Sequence, residues 1–268
     1  MLSQLRKRKN RRGQPVREST VQHYLSAVSA VLSDAKRNEI IQTNPARMID
    51  LPTTNRMEQH IPTVQEVQRL LQALSMEPRH FRVFYLLAMA TGCRRGELCA
   101  LQWQDIDWEQ RSIHICRSAV KITGDEIFVK EPKTRSGDRY VYFSAQMENL
   151  LREYRRACQY ITTIYDEREL DTNDFLFRRQ GTRLPMTPTT FTWRFKCILK
   201  KNGLPQELNV HSLRHTAASL MIAGGTDVAT VAGILGHSQP STTLDIYTHA
   251  FDKNKKAASA GLQGMLEI

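Results

Sequence analysis

The stretch TGCRRGELCAL (residues 91–101) follows an apolar run, FRVFYLLAMA (81–90), and ends in a second one, LCAL (98–101). If a helix restarts after Gly92, it carries Arg94 and Arg95 in its first turn. The macrodipole disfavours cations there; acids or bound anions belong there instead. One of the two arginines is therefore a candidate for a task other than folding.

Working outward, 268 residues suffice for one large domain or two smaller ones with a proper core. The 41% apolar and 24% charged content is that of an ordinary globular chain. No apolar run reaches the ~18 residues of a membrane span, and the basic N-terminus lacks the apolar segment of a secretory signal. The five cysteines, Cys93, Cys99, Cys116, Cys158 and Cys197, are odd in number and include no C-x-x-C pair. They read as reduced thiols of a cytoplasmic protein, small apolar residues rather than disulfides or zinc ligands. A net charge of +11 points to a polyanion partner, of which nucleic acid is the commonest.

The first 18 residues hold a charge run, Arg6, Lys7, Arg8, Lys9, Arg11 and Arg12, readable as a solvated arm or as contacts to DNA phosphates. Residues 19–38 form an amphipathic helix, with Ser19 as its N-cap. Turn chemistry and two prolines in IIQTNPARMIDLPTTN (40–55) put a boundary near 52–60. Beyond it, Thr63 and Glu66 make a capping box for a helix over 61–74, and another helix covers 80–90. RSIHICRSAV (111–120), EIFVKE (126–131) and RYVYFS (139–144) read as three strands. Helices return at about 145–160 and 187–201. Gly224-Gly225 stops a helix over 211–225, and Thr226 or Asp227 caps the next.

His211, Arg214 and His215 fall at i, i+3 and i+4, on one helical face. Such a face is not usually buried unless something pairs with its polar groups. A zinc-protease helix needs Glu after the first His, where Ser212 stands, so no metal is expected. Phosphate suits these groups better, because a guanidinium matches its oxygens bidentately and His donates to a third. Arg94 is the candidate second arginine. His237 and Tyr247, ten residues apart in LGHSQPSTTLDIYTH, add little singly; their weight comes from the order Arg, His-x-x-Arg, His, Tyr.

On these boxes the chain resembles the tyrosine recombinases of the phage integrase family over about residues 19–251. TGCRRGELCALQWQDID is similar to the family's first-arginine box, HSLRHTAAS to its His-x-x-Arg box and LGHSQPSTTLDIYTH to its last. The resemblance implies a catalytic set of Arg94, Lys133, His211, Arg214, His237 and the nucleophile Tyr247, with Glu97 and His215 in support. EPKTRSGDRYVYF matches the hairpin carrying the family's lysine; Lys133 is the best match, with Lys130 and Arg135 close by. Arg95 reads as a surface or DNA-backbone contact, and Arg135 as a DNA contact.

The implied fold is mainly α with a small three-stranded antiparallel sheet. A basic arm and partial helical core-binding domain (1–55) precede a catalytic domain (56–251) and a tail (252–268) that packs on a neighbouring protomer or in cis. The family's core-binding bundle has about four helices. Here only its last portion can be placed, so the chain is expected to be a fragment, a truncated reading frame or a reduced member. The implied activity is site-specific cutting and rejoining of DNA through a 3′-phosphotyrosyl link, without cofactor or metal, as the integrase of a phage or other mobile element. The implied partners are double-stranded DNA, further copies forming a tetramer, and accessory DNA-bending or excision-directing proteins, with no membrane. A type IB topoisomerase shares the Arg–Lys–Arg–His–Tyr set, and an inactive DNA-binding remnant would share the charge.

Overall fold

The computed structural model describes residues 7–9, 13–16, 18–49, 62–122, 126–132 and 135–238. The chain forms two compact units, Met1–Glu58 and Gln59–Ile268.

In the first unit, helix α1 (Glu18–Arg37) starts one residue before Ser19 and buries Val21 and Leu25. A 3-10 turn, Pro45–Met48, folds back onto it. Asn44 holds this turn twice: its Nδ2 donates to Ser29 O at 3.0 Å and Ser33 Oγ at 2.8 Å, and its Oδ1 accepts from Ala46 N at 3.0 Å. Tyr24 and Val31 stay exposed.

The second unit is built around an aromatic core. Helix α2 (Val64–Ser75) begins with the predicted box: Thr63 N donates to Glu66 Oε2 at 2.7 Å and Glu66 N to Thr63 Oγ1 at 3.2 Å. Helix α3 (Arg79–Thr91) buries Phe84 and Tyr85 against Phe177 and Phe191, with the Phe84 and Phe191 rings stacked at 3.7 Å between centroids. The Tyr85 hydroxyl is satisfied by Phe191 O at 2.7 Å, so the ring is buried without stranding its polar tip. Short helix α4 (Arg95–Cys99) follows α3 directly.

The strands are β1 (Ile106–Asp107), β2 (Ser112–Ile115), β3 (Ser118–Lys121), β4 (Ile127–Lys130) and β5 (Arg139–Tyr142). They make a three-stranded antiparallel sheet, β1-β2-β5, and a separate β3-β4 ribbon. The sheet thus has the expected size but not the expected members. The single strand read over 111–120 breaks at Cys116-Arg117, where the Arg117 guanidinium pairs with buried Asp105. Its first half joins β5, its second half joins β4, and β1 completes the sheet.

Helix α5 (Ala145–Asp166) is capped by Ser144 and runs six residues past the expected end. Helix α6 (Pro188–Lys201) is capped by Thr187 with Pro188 in its first turn. Helices α7 (Val210–Ala223) and α8 (Val228–Leu235) complete the described residues. Asp227, not Thr226, caps α8: its Oδ1 accepts from Thr230 N at 2.9 Å.

Candidate active site

Gly92 is the point where three elements meet. It ends α3 in the left-handed region, φ +63°, with its N–H on Ala88 O at 3.0 Å. A Cβ here would stand 2.6 Å from Leu235 Cδ2, 3.5 Å from Ala217 Cβ and 3.9 Å from Arg214 Cγ. Glycine is therefore required both for the turn and for the close approach of α7 and α8. Its carbonyl accepts from Arg214 Nη1 at 2.8 Å.

Arg94 is the N-cap of α4, and the anion of that terminus is a side chain. Glu97 accepts the Arg94 backbone N–H at 2.8 Å and Arg94 Nη1 at 2.8 Å. Arg94 Nη2 donates to Gly236 O at 2.8 Å. The anion sought by sequence reasoning at this turn is thus Glu97, three residues on. Glu97 is buried, which alone would raise its carboxyl; bonds from Arg139 and Arg94 hold it below the usual range instead.

Helix α7 is buried continuously over residues 212–218, taking the polar residues Ser212, Arg214, His215 and Thr216 with it, while His211 at its start is exposed. Asn209 caps it by accepting from His211 N at 2.8 Å and Ser212 N at 3.2 Å, which fixes His211 in the first turn. Arg214, one turn on, is 2% exposed. Among the described residues, no group accepts from its Nη2. Burial, then repulsion from Arg94, lowers its pKa to about 10. His215 lies beneath His211, their rings edge-to-face at 4.7 Å.

His237 is placed by the end of α8. Gly236 is left-handed, φ +70°, its N–H bonds Gly233 O at 3.0 Å, and His237 N–H reaches back to Ala232 O at 2.9 Å. This is a Schellman closure, and Leu-Gly-His encodes it: glycine takes the positive φ and histidine the next position. Burial, then Arg214 and Arg94, push the His237 imidazole down to about 4. Burial, then His211 and Arg214, bring His215 to about 4 as well. His211 is lowered by burial, Arg214, Arg94 and Arg95.

The fold thus gathers Arg94, Glu97, His211, Arg214, His215 and His237, drawn from three stretches of the chain, around one positive centre. Tyr247, Lys133, the Arg135 side chain, Arg6, Arg11, Arg12 and the tail 252–268 lie outside the described residues. Lys7, Arg8 and Lys9 are exposed in the first unit. Arg95 is exposed and hydrogen-bonds Thr192 Oγ1. A cavity of about 780 Å³ lined by Tyr154, Tyr165, Arg178 and Met186, among others, shares no residue with the cluster. Among the described residues no group of three or more His, Cys, Asp or Glu could hold a metal.

Sequence reasoning missed Arg139. It opens β5, is 9% exposed, and donates through Nη2 to Glu97 Oε2 at 2.8 Å and through Nε to Ile234 O at 2.6 Å. A signal was present: in RYVY, Arg139 and Val141 face inward while Tyr140 and Tyr142 face out. An arginine on the inward face of a strand needs a buried partner.

Known proteins resemble this chain along most of its length. It is 26% identical over 247 residues to the ICEBs1 integrase of Bacillus subtilis strain 168, covering 92% of this chain and 66% of that one. It is 29% identical over 212 residues to a tyrosine recombinase XerC-like protein of Caldanaerobacter subterraneus, covering 72% and 51%. The chain therefore spans less than two thirds of these two relatives. In fold it matches the Tn1549 transposon integrase in complex with transposon right end DNA, with a TM-score of 0.77 at 22% identity over 92% of this chain and 80% of that one. A lambda integrase tetramer bound to a Holliday junction gives 0.55 at 20% identity, covering 83% and 60%. The model of the phage integrase family matches residues 62–254, from the capping box of α2 to beyond Tyr247, and by that match the chain belongs to the phage integrase family.

Proposed function

We propose that this protein is a site-specific DNA recombinase, the integrase of a phage or other integrative element, acting on DNA in the cytoplasm. The observation that carries the reading is the charge imbalance at the site. Three guanidiniums, Arg94, Arg139 and Arg214, stand around the single carboxylate of Glu97, and Arg214 keeps a buried N–H unused among the described residues. Such an arrangement is costly unless an anion completes it. A DNA phosphate is that anion.

In this mechanism the phosphate sits between Arg94 and Arg214, which donate to its two non-bridging oxygens. Arg94 has N–H groups to spare beyond those given to Glu97 and Gly236. The phenol of Tyr247 attacks phosphorus, the Tyr247 Oη–P bond forms and the P–O5′ bond breaks. His237 and His211 hydrogen-bond the phosphate, and a neutral imidazole accepts the phenolic proton. Their lowered pKa values keep both uncharged until substrate arrives. Lys133 delivers a proton to the departing 5′ oxygen. The phosphotyrosyl link conserves the bond energy, and reversal rejoins the strand.

The domain limits of 1–55, 56–251 and 252–268 belong to the same reading, as do a tetrameric assembly on DNA and accessory proteins that set direction. The basic run Arg6–Arg12, with Arg95 and Arg135, supplies backbone contacts, so binding weakens steeply with salt.

The test uses nicked duplexes tiled across the DNA flanking the gene, which trap a covalent intermediate. Wild type gives a denaturation-resistant protein–DNA adduct and Tyr247→Phe gives none. An adduct that survives in Tyr247→Phe overturns the nucleophile, and wild type without any adduct overturns the function.

A further inference from the structure

Arg139 joins three parts of the site that the chain keeps far apart. Its Nη2 and Nη1 donate to the two Glu97 oxygens at 2.8 and 3.3 Å, which ties it to the Arg94 turn. Its Nε donates to Ile234 O at 2.6 Å, in the last turn of α8. Its Nη1 also reaches Gly137 O at 3.4 Å, in the turn that precedes β5. Gly236 lies flat against the guanidinium: a Cβ there would meet Nη1 at 2.8 Å, Cζ at 3.0 Å and Ser136 O at 2.8 Å. Arg94 grips the same residue from the other side through Gly236 O. The turn 234–236, which sets where His237 stands, is therefore held between two arginines that share Glu97.

We propose that Arg139 is a positioning residue that locks the 234–237 turn, and with it His237, against the Arg94–Glu97 pair. Its planar fork is what the geometry needs. One guanidinium serves a carboxylate along one edge and a carbonyl from Nε, a combination that a lysine ammonium, as a point charge, does not reproduce. Arg139 itself need not touch DNA. Because its donors go to Glu97, Ile234 and Gly137, its effect on chemistry runs through the placement of His237 and the orientation of Arg94.

The first arm of the test needs no DNA. In Arg139→Met, amide hydrogen exchange at Gly236 and His237, whose N–H groups close the Schellman turn, accelerates by about tenfold or more, while α3 keeps its protection. Uniform acceleration across the whole second unit would instead mark a general loss of stability and overturn the proposal, as would unchanged exchange at the turn. The second arm rests on the recombinase reading. At one salt concentration Arg139→Met slows adduct formation by about 100-fold, the scale of a misplaced catalytic group, with DNA affinity within about threefold. Arg139→Lys, which keeps the charge beside Glu97 and guards against a variant that fails to fold, recovers only part of that rate. Full recovery by lysine, or parallel loss of binding and cleavage, overturns the positioning role. Failure of wild type to form any adduct speaks against the recombinase reading alone, because the exchange result still decides the role of Arg139.

Discussion

The turn after α3 and the buried helix α7 each carry one arginine toward the same point, and they treat it in opposite ways. Arg94 has a carboxylate in contact and keeps 41% of its side chain exposed. Arg214 has a backbone carbonyl as partner, is 2% exposed and is repelled by Arg94. The first region is electrostatically compensated within the fold. The second is not. A protein selected for stability alone would not bury a guanidinium this way, since an apolar residue of similar size is usually as good or better. The contrast locates the unmet electrostatic demand at Arg214.

The largest expected effect breaks the comparison from the uncompensated side. Arg214→Met should lower the rate of adduct formation by about 10³-fold or more, the range for removing an arginine from a phosphoryl-transfer site. It should also stabilise the apo protein by roughly 1 kcal/mol, or about 2–4 °C in Tm for a unit of this size. Both are read on one preparation, by single-turnover trapping and by thermal melting. A lower Tm with cleavage intact would mean that Arg214 is a structural residue whose bond to Gly92 O outweighs its repulsion.

The compensated side gives the opposite sign. Glu97→Gln leaves Arg94 and Arg139 as neighbouring buried or half-buried cations without a counter-charge. It should cost about 3 kcal/mol of stability, the scale of breaking a buried ion pair, measured by urea unfolding. If Glu97→Gln and Arg214→Met shift stability in the same direction, the two regions are not electrostatically distinct and the contrast fails.

How much of this was legible follows from where each signal lives. Local chemistry spoke plainly: the Thr63–Glu66 box and the stop at Gly224-Gly225 stand where they were read. These depend on backbone and side-chain preferences acting within a few residues. The break at Cys116-Arg117 was read through, although Arg117 interrupts the apolar face of Ile113, Ile115 and Ala119. At the break the Arg117 guanidinium pairs with buried Asp105, twelve residues earlier. Arg139 was hidden by distance along the chain. Its partners Glu97 and Ile234 lie 42 and 95 residues away, and nothing in RYVYFS announces them beyond an inward-facing cation. Glu97 was named as a support, but that it is the anion of its own helix terminus emerged only from the fold.

The smallest effect sharpens the comparison through pH. Burial first, then His211 and Arg214 at His215 and Arg214 and Arg94 at His237, lowers these imidazoles, so His215 and His237 titrate at about 4 in the folded protein against about 6.5 unfolded. A depressed histidine pKa means that the unfolded chain binds more protons in this interval. Stability is therefore full above pH ~6.5 and declines as the pH falls from there toward ~4. The carboxylate of Glu97, itself depressed, begins to lose its contribution only below about pH 4.5, so the upper part of the window belongs to the histidines. His215→Asn should flatten the Tm-versus-pH curve between pH 6.5 and 4.5, by at most one proton, about 1.4 kcal/mol per pH unit. An anion seated between Arg94 and Arg214 reverses the field at His237. A short DNA duplex should therefore lift that imidazole and make binding take up protons near pH 5–6, seen as a buffer-dependent heat in calorimetry. Binding without proton uptake in that range would mean that the phosphate does not come to rest beside His237, and that Arg214's unmet demand is answered from elsewhere.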